Sequence, residues 1–295
     1  MSSSSARVRI AMLRRRADLQ SLAYLLALPG LLAWQWRHGF SWPLYLAALW
    51  LTVGVSVINH NHAHLPMWRS RRLNRITDFV LTLEQGHPIF AFHPAHRANH
   101  HRYHHGPRDV ARTYRFGGDH NHLWGYLIHP AQAVQVLYPL FLDHLARMRQ
   151  RAPGVWRYYL LQYAALFALW GGLALLSPGK TLLYVLLPQL HGLHWLLATN
   201  YLQHAHADGR SRINFARNFE GAVNRCWFNI GLHTAHHLNP RLHWSELPRP
   251  HRELRPRIDP RLLEPSLLRY MLRSFLLAPL SPRWRGHSLM RPPES

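Results

Sequence analysis

The chain has one cysteine, Cys226, in 295 residues. It can close no disulfide on itself and offers no thiolate metal site. The cysteine count leaves the compartment open, and a reducing one is compatible with it. Acids are scarce too: 13 Asp and Glu stand against 35 Lys and Arg, almost all of them arginine, for a net charge of +22. Such an excess suits either nucleic acid or the anionic cytoplasmic face of a membrane. The sequence has no zinc finger or other nucleic-acid signature. Its arginine clusters instead flank apolar runs in the positive-inside manner, so the expected partner is membrane and not nucleic acid. No linker, sequence repeat or low-complexity tract interrupts the chain, which reads as a single domain over 1–295. No small-residue cleavage site follows the first apolar run. The basic stretch Arg7, Arg9, Arg14, Arg15 and Arg16 therefore leads into an uncleaved span, anchored at its far end by Trp34, Trp36 and Arg37.

What is abundant is apolar surface and histidine. Hydrophobic residues make up 48%, yet the mean hydropathy is slightly negative, because apolar runs alternate with segments rich in arginine and histidine. Runs over 20–36 and 42–58 are separated only by Arg37-His38-Gly39-Phe40-Ser41. A second pair, 156–176 and 182–203, is joined by Ser177-Pro178-Gly179-Lys180-Thr181. Each is close to the roughly 17 to 25 residues that a bilayer core requires. The expected fold is all-α and integral to the membrane: four transmembrane helices in two hairpins. The run 123–142 contains His129-Pro130, Gln132 and Gln135 and is read as interfacial or re-entrant. If it crossed, the histidines after residue 203 would emerge opposite those near residue 60. With four spans both termini are cytoplasmic, and the short outer loops carry only Arg37 and Lys180 as permanent charges. Beyond 205 the chain turns polar and then Pro/Arg-rich, with a surface helix expected at Leu267–Leu277.

The 25 histidines are not scattered. His60 and His64 stand four apart on a helix continuing from the second run and share one face, while His62 points away as a polar or supporting group. His96 and His100 repeat the spacing, with His101 beside them. The segment His101-Arg102-Tyr103-His104-His105 offers a competing HxxHH register, and spacing leaves both open. Asn200 and His204 are also i, i+4, and His233, His236 and His237 lie at i, i+3 and i+4. One such pair is ordinarily a surface or core pair. Four clusters on one predicted side of the membrane point to metal. A zinc site needs three or four protein ligands, whereas nine histidines suffice for two ions with about five ligands each, and imidazole suits iron, copper, zinc or nickel. Redox-inactive zinc would have no evident task there, whereas two irons could activate oxygen where a lipid chain can reach. Asp109 and Asp208 are candidates either for orienting ligating rings or for plain loop acids.

At these residues the chain resembles the membrane fatty acid desaturase and hydroxylase family, over roughly 45–250. The family's HxxxH, HxxxHH and HxxHH boxes correspond to His60/His64, His96/His100/His101 and His233/His236/His237. The resemblance thus selects the first register of the second box and leaves His104 and His105 as extras. His204, with Asn200 four residues before it, is similar to a family pattern in which the asparagine contacts a metal through water. His100-His101-Arg102-Tyr103 followed by Asp109 is similar to the family's HH-[KR]-Y and downstream aspartate. Asn200–His204, Arg217-Asn218-Phe219, Asn229, His233–Leu238 and Trp244-Ser245-Glu246-Leu247-Pro248 are similar to bacterial desaturase-like proteins.

The resemblance implies a di-iron centre in a cytoplasmic cap on a bacterial inner membrane, with O2 as co-substrate and no catalytic residue apart from the metal ligands. Those ligands would be His60, His64, His96, His100, His101, His204, His233, His236 and His237, with Asn200 acting through water. The implied reaction introduces a double bond into the acyl chain of a lipid or acyl thioester. A hydroxylase of an alkane, fatty acid or carotenoid-like substrate is the alternative. No segment is large enough for a fused redox domain, so a separate ferredoxin-, rubredoxin- or cytochrome b5-like donor is expected. A histidine-rich metal transporter or buffer is the reading from another class. It predicts ligands along a transmembrane path, where only the fourth run holds histidines, His191 and His194.

Overall fold

The computed structural model describes residues 12–290, so Arg7 and Arg9 of the basic stretch lie outside the described residues. The elements are helices, six of them long: α1 (Asp18–His38), α2 (Trp42–His64), α3 (Arg71–Gln85), α4 (Leu123–Arg151), α5 (Pro153–Leu176) and α6 (Pro178–His204). Two-residue strands β1 (Asn218–Phe219) and β2 (Leu263–Glu264) pair in parallel. The short helices α7 (His233–Leu238) and α8 (Leu267–Met271) complete the frame. The chain forms two compact units. One holds the described residues up to Phe92 together with Leu145–Trp195, and the other holds His93–His144 and the residues from Leu196 onward.

In the first unit, α2, α5 and α6 are long and apolar enough to cross a membrane. Helix α1 matches the expected first run and has 21 residues. Asp18, Gln20, Ser21, Gln35 and Arg37 dilute it, and it does not reach the same composition. Helix α5 buries only Gln162 and Leu166, and Leu175 is 90% exposed. So large an uncovered apolar surface is suited to lipid, not to water. Helix α2 is the opposite case, with every residue from Thr52 to His60 buried. Its Gly54 lets Tyr24 of α1 approach: a Cβ there would fall 2.3 Å from the tyrosine ring. The helix also runs without a break past residue 58 to His64, which places His60 and His64 on one face of a single rod.

Helix α3 lies in what reads from sequence as a long polar segment, although its end signals are present. The Ser70 hydroxyl accepts from the Leu73 N–H at the N-cap, and Gly86 closes the C-terminus at φ +72°. Absence of a side chain at Gly86 also admits Gln189. Its Nε2 donates to the Leu83 carbonyl at 2.6 Å, while its Oε1 accepts from Trp170 at 2.9 Å, so the buried amide is satisfied at both ends. His191 is likewise bonded, to the Thr52 hydroxyl at 2.8 Å and by the Trp195 N–H at 3.1 Å.

In the second unit, the part of α4 up to His144 buries Gly125, Tyr126, His129, Ala133 and His144. It exposes Trp124, Leu127, Ile128, Val134, Tyr138 and Leu142. Its buried side also carries Pro130 and Phe141, and so many large apolar side chains on the opposite side are unlike a helix in water. The helix is longer than the expected 123–142 and carries Pro130 and Pro139 inside it. The register of the strand pair is Asn218↔Leu263 and Phe219↔Glu264. It fixes the loop that follows α6 against a core of Phe215, Phe228, Tyr201 and Tyr270, each at most 1% exposed.

Glu84 on α3 tests the packing of the first unit. Burial pushes its carboxyl from an ordinary 4.5 up to about 9, so it is protonated at neutral pH. A carboxyl whose folded value lies above its unfolded value subtracts stability as pH rises from the lower value toward the higher. Glu84→Gln is therefore expected to raise Tm by several degrees at pH 8 and to leave it nearly unchanged at pH 5, as thermal denaturation in detergent will show.

Candidate metal centre

The histidine boxes owe their geometry to departures from the regular α-helix. Residues His93–His100 form a π-helix, continued by a short α-turn His101–Tyr103. A π-helix closes i→i+5 hydrogen bonds, so residues five apart share a face. His96 accordingly meets His101, with their Nε2 atoms 3.0 Å apart, although the i, i+4 spacing had paired it with His100. The turn ends at His104 and His105, both at positive φ (43° and 67°). These two rings leave the helical face, and His104 stacks on Phe215 with centroids 4.7 Å apart.

Four buried rings, His100, His204, His233 and His237, each offer one nitrogen, and these atoms all lie within 4.8 Å of one another. Two of the rings have their tautomer set by an oxygen. His204 Nδ1 donates to the Phe215 carbonyl at 2.8 Å, and His100 Nδ1 donates to the Asp109 carboxylate at 2.7 Å. Each then turns an Nε2 lone pair inward. His204 Nε2 lies 3.1 Å from His233 Nε2, which in turn lies 3.1 Å from His237 Nε2. Burial, and then the neighbouring rings of His101, His233 and His100, hold His237 well below the usual histidine value and so neutral. Neutral imidazoles with converging lone pairs repel unless a cation lies among them. Nitrogens bound about 2.1 Å from one ion lie roughly 3.0–3.4 Å apart when adjacent in its coordination shell. The donor set fits a metal ion.

The remaining rings form a second set. His236 Nε2 lies 3.1 Å from His101 Nε2, which also meets His96. The two sets adjoin: His101 stacks on His237 with centroids 4.2 Å apart. Each adjacent doublet, His100/His101 and His236/His237, is thus divided, one ring to each set. In the first unit His60 and His64 keep their expected pairing, with centroids 4.9 Å apart. His62 turns aside to Asp78 at 3.3 Å and accepts from the Met67 N–H.

The scaffold of the second unit is built of buried polar contacts. Arg217, 4% exposed, donates to the Leu202 and Ala205 carbonyls and so caps the end of α6 beside His204. Its guanidinium lies 4.6 Å from the centre of the Tyr270 ring. Asn218 accepts from the Thr234 N–H and donates to the Thr234 hydroxyl, which satisfies one of the open N–H groups at the start of α7. Asp109, fully buried, accepts from His100, from the His105 N–H and from the Ala111 N–H. Burial alone would raise its carboxyl, but the His100 ring and these hydrogen bonds outweigh it and hold the group well below its usual range. Asp208 instead accepts from the Arg210 N–H in its own loop, so of the two candidate acids only Asp109 orients a ring. Asn200 donates to the Ala111 carbonyl at 2.7 Å and lies 3.3 Å from His129 Nε2. That partner is missed from sequence, where His129 stands out only as a polar residue in an apolar run. Burial first, then His105 and His120, push its ring down to about 4.

Converging imidazoles in two adjoining sets, in a chain with three membrane-length apolar helices, define a membrane protein with a histidine-rich metal site. The fatty acid desaturase family model matches residues 34–269. The chain belongs to that family, and so to a family of oxidoreductases. No curated protein and no solved structure matches it.

Asp109 gives the test of this arrangement. Loss of a ring-orienting partner typically lowers metal affinity by about 10–100-fold, and a buried donor left unsatisfied costs about 1–3 kcal/mol. Asp109→Asn should show both, as a lower metal content on purification and a lower Tm. Asp208→Asn should leave the metal content unchanged.

Proposed function

We propose that the protein is an O2-dependent di-iron oxidoreductase that introduces a double bond into the acyl chain of a lipid or acyl thioester. The observation that carries this reading is the pair of adjoining imidazole sets fed by shared doublets, in a chain of the desaturase family. One ion would be held by His100, His204, His233 and His237, with Asn200 acting through water. The other would be held by His96, His101 and His236 together with His60 and His64, the ring pair at the end of α2. Two irons so held supply oxygen-activating redox chemistry able to remove hydrogen from an unactivated C–H bond.

The chain's own residues prepare that centre. Asp109 and the Phe215 carbonyl hold the Nδ1 atoms of their histidines and so aim each Nε2 inward. Burial excludes water from the first set, around His100, His204, His233 and His237. Positioning of the acyl chain decides between a double bond and an alcohol. In this reading α1 is the fourth span, both termini are cytoplasmic and the membrane is a bacterial inner membrane. Electrons come from a separate ferredoxin-, rubredoxin- or cytochrome b5-like protein. Helix α6 does not suit a transporter, because His191 is tied into hydrogen bonds with Thr52 and Trp195.

Expression in a host with a simple lipid profile, followed by mass spectrometry of its lipids, tests the reaction. Loss of two hydrogens is the expected change, and gain of one oxygen would make the protein a hydroxylase. Purified protein should carry about two irons, the count that nine imidazoles can serve. His236→Ala should lose both iron and turnover, while His38→Ala should keep both. Full activity in the His236 variant would overturn the assignment.

A further inference from the structure

The family match ends at residue 269, just where the chain begins an apolar ladder of its own. Helix α8 passes without interruption into a π-helical turn, Leu272–Leu277, in which the Ala278 N–H donates back to the Arg273 carbonyl at 2.8 Å. One face of this segment is bound to the rest of its unit. Tyr270, 1% exposed, donates to Asn121 at 3.1 Å, and Phe275 stacks on Tyr126 of α4 with centroids 5.1 Å apart. The segment cannot roll its outer face inward without breaking these contacts. That outer face carries Leu268, Leu272, Leu276, Leu277 and Leu280, which are 67%, 45%, 54%, 39% and 81% exposed.

Arg273 is paired with the buried Glu264, and the exposed charges of the segment are all of one sign. No acidic residue occurs between Pro265 and Pro293, whereas Arg269, Arg283 and Arg285 are exposed. Trp284, beside Arg283 at 4.9 Å, is of the residue type that favours the headgroup layer. Two copies meeting through this face would bring like charges together. An anionic lipid surface instead accepts aliphatic side chains below and guanidinium groups at headgroup level. We infer that Leu267–Leu280, with Arg269, Arg283 and Arg285, is a surface anchor that beds into the anionic phospholipid headgroup layer. This rests on the membrane reading of the apolar helices but not on the metal centre.

The test uses the full chain with Cys226→Ser and a single Leu272→Cys bearing an NBD fluorophore, reconstituted into vesicles containing nitroxide-labelled phosphatidylcholine. A matching Leu175→Cys protein reports the lipid exposure of α5. Quenching at position 272 is expected to be at least about twofold stronger when a third of the lipid is phosphatidylglycerol than in phosphatidylcholine alone. Combined Arg269→Gln, Arg283→Gln and Arg285→Gln should remove that difference. Quenching at 175 but not at 272 would overturn the anchor while leaving the spans intact. Equal quenching in both lipids would overturn its dependence on anionic headgroups. A blue shift at 272 that follows protein concentration and not lipid would assign the face to a second copy. Absence of quenching at both positions would remove the membrane reading and the anchor with it.

Discussion

A hydrogen bond to one nitrogen of an imidazole fixes the ring and turns its other nitrogen toward a cation, and two rings of the first histidine set are aimed in this way. At His100 the partner is the Asp109 carboxylate, and at His204 it is the carbonyl of Phe215. Neither contact is local in the way a helical spacing is: one spans nine residues and the other eleven. Each therefore requires the intervening loop to be fixed first. Much of the second unit serves this purpose, from the strand pair that holds Phe219 to the buried Arg217 that ties the loop to the end of α6.

The adjacent doublets impose a second constraint. Neighbouring residues on a helix point about 100° apart, so one short helix can serve two sets only if they flank it. His236 and His237 on α7 do this, and so do His100 and His101 where the π-helix joins the next turn. The distance between the sets is then set by backbone geometry and not by flexible side chains. Asn218 holds the start of α7 through Thr234, so the strand also governs where this division occurs.

Much of this was legible in the sequence, for identifiable reasons. The apolar runs and the ring pair on α2 follow from composition and from a 3.6-residue period. The pairing of His96 with His101 does not, because a π-helix has no sequence signature as plain as a cap or a heptad. Helix α3 was hidden by its polarity, although Ser70 and Gly86 mark its two ends. Asp109 and Asp208 look alike in sequence. What separates them is burial, which depends on the whole loop. Arg217, Asn218 and Asn229 stand out by family resemblance, but their work as a helix cap, a turn brace and a tie to the Trp244 carbonyl is visible only once the loops are folded.

The cap at the end of α6 has an implication for how the molecule would fail. Terminal turns of helices fray first, and His204 occupies such a turn. Arg217 closes it by filling the Leu202 and Ala205 carbonyls, so an apolar rod and a histidine set share one fastening. Damage at this fastening would scatter the converging rings while the rod still stood. The protein would then age by losing the aim of its imidazoles long before it lost its shape.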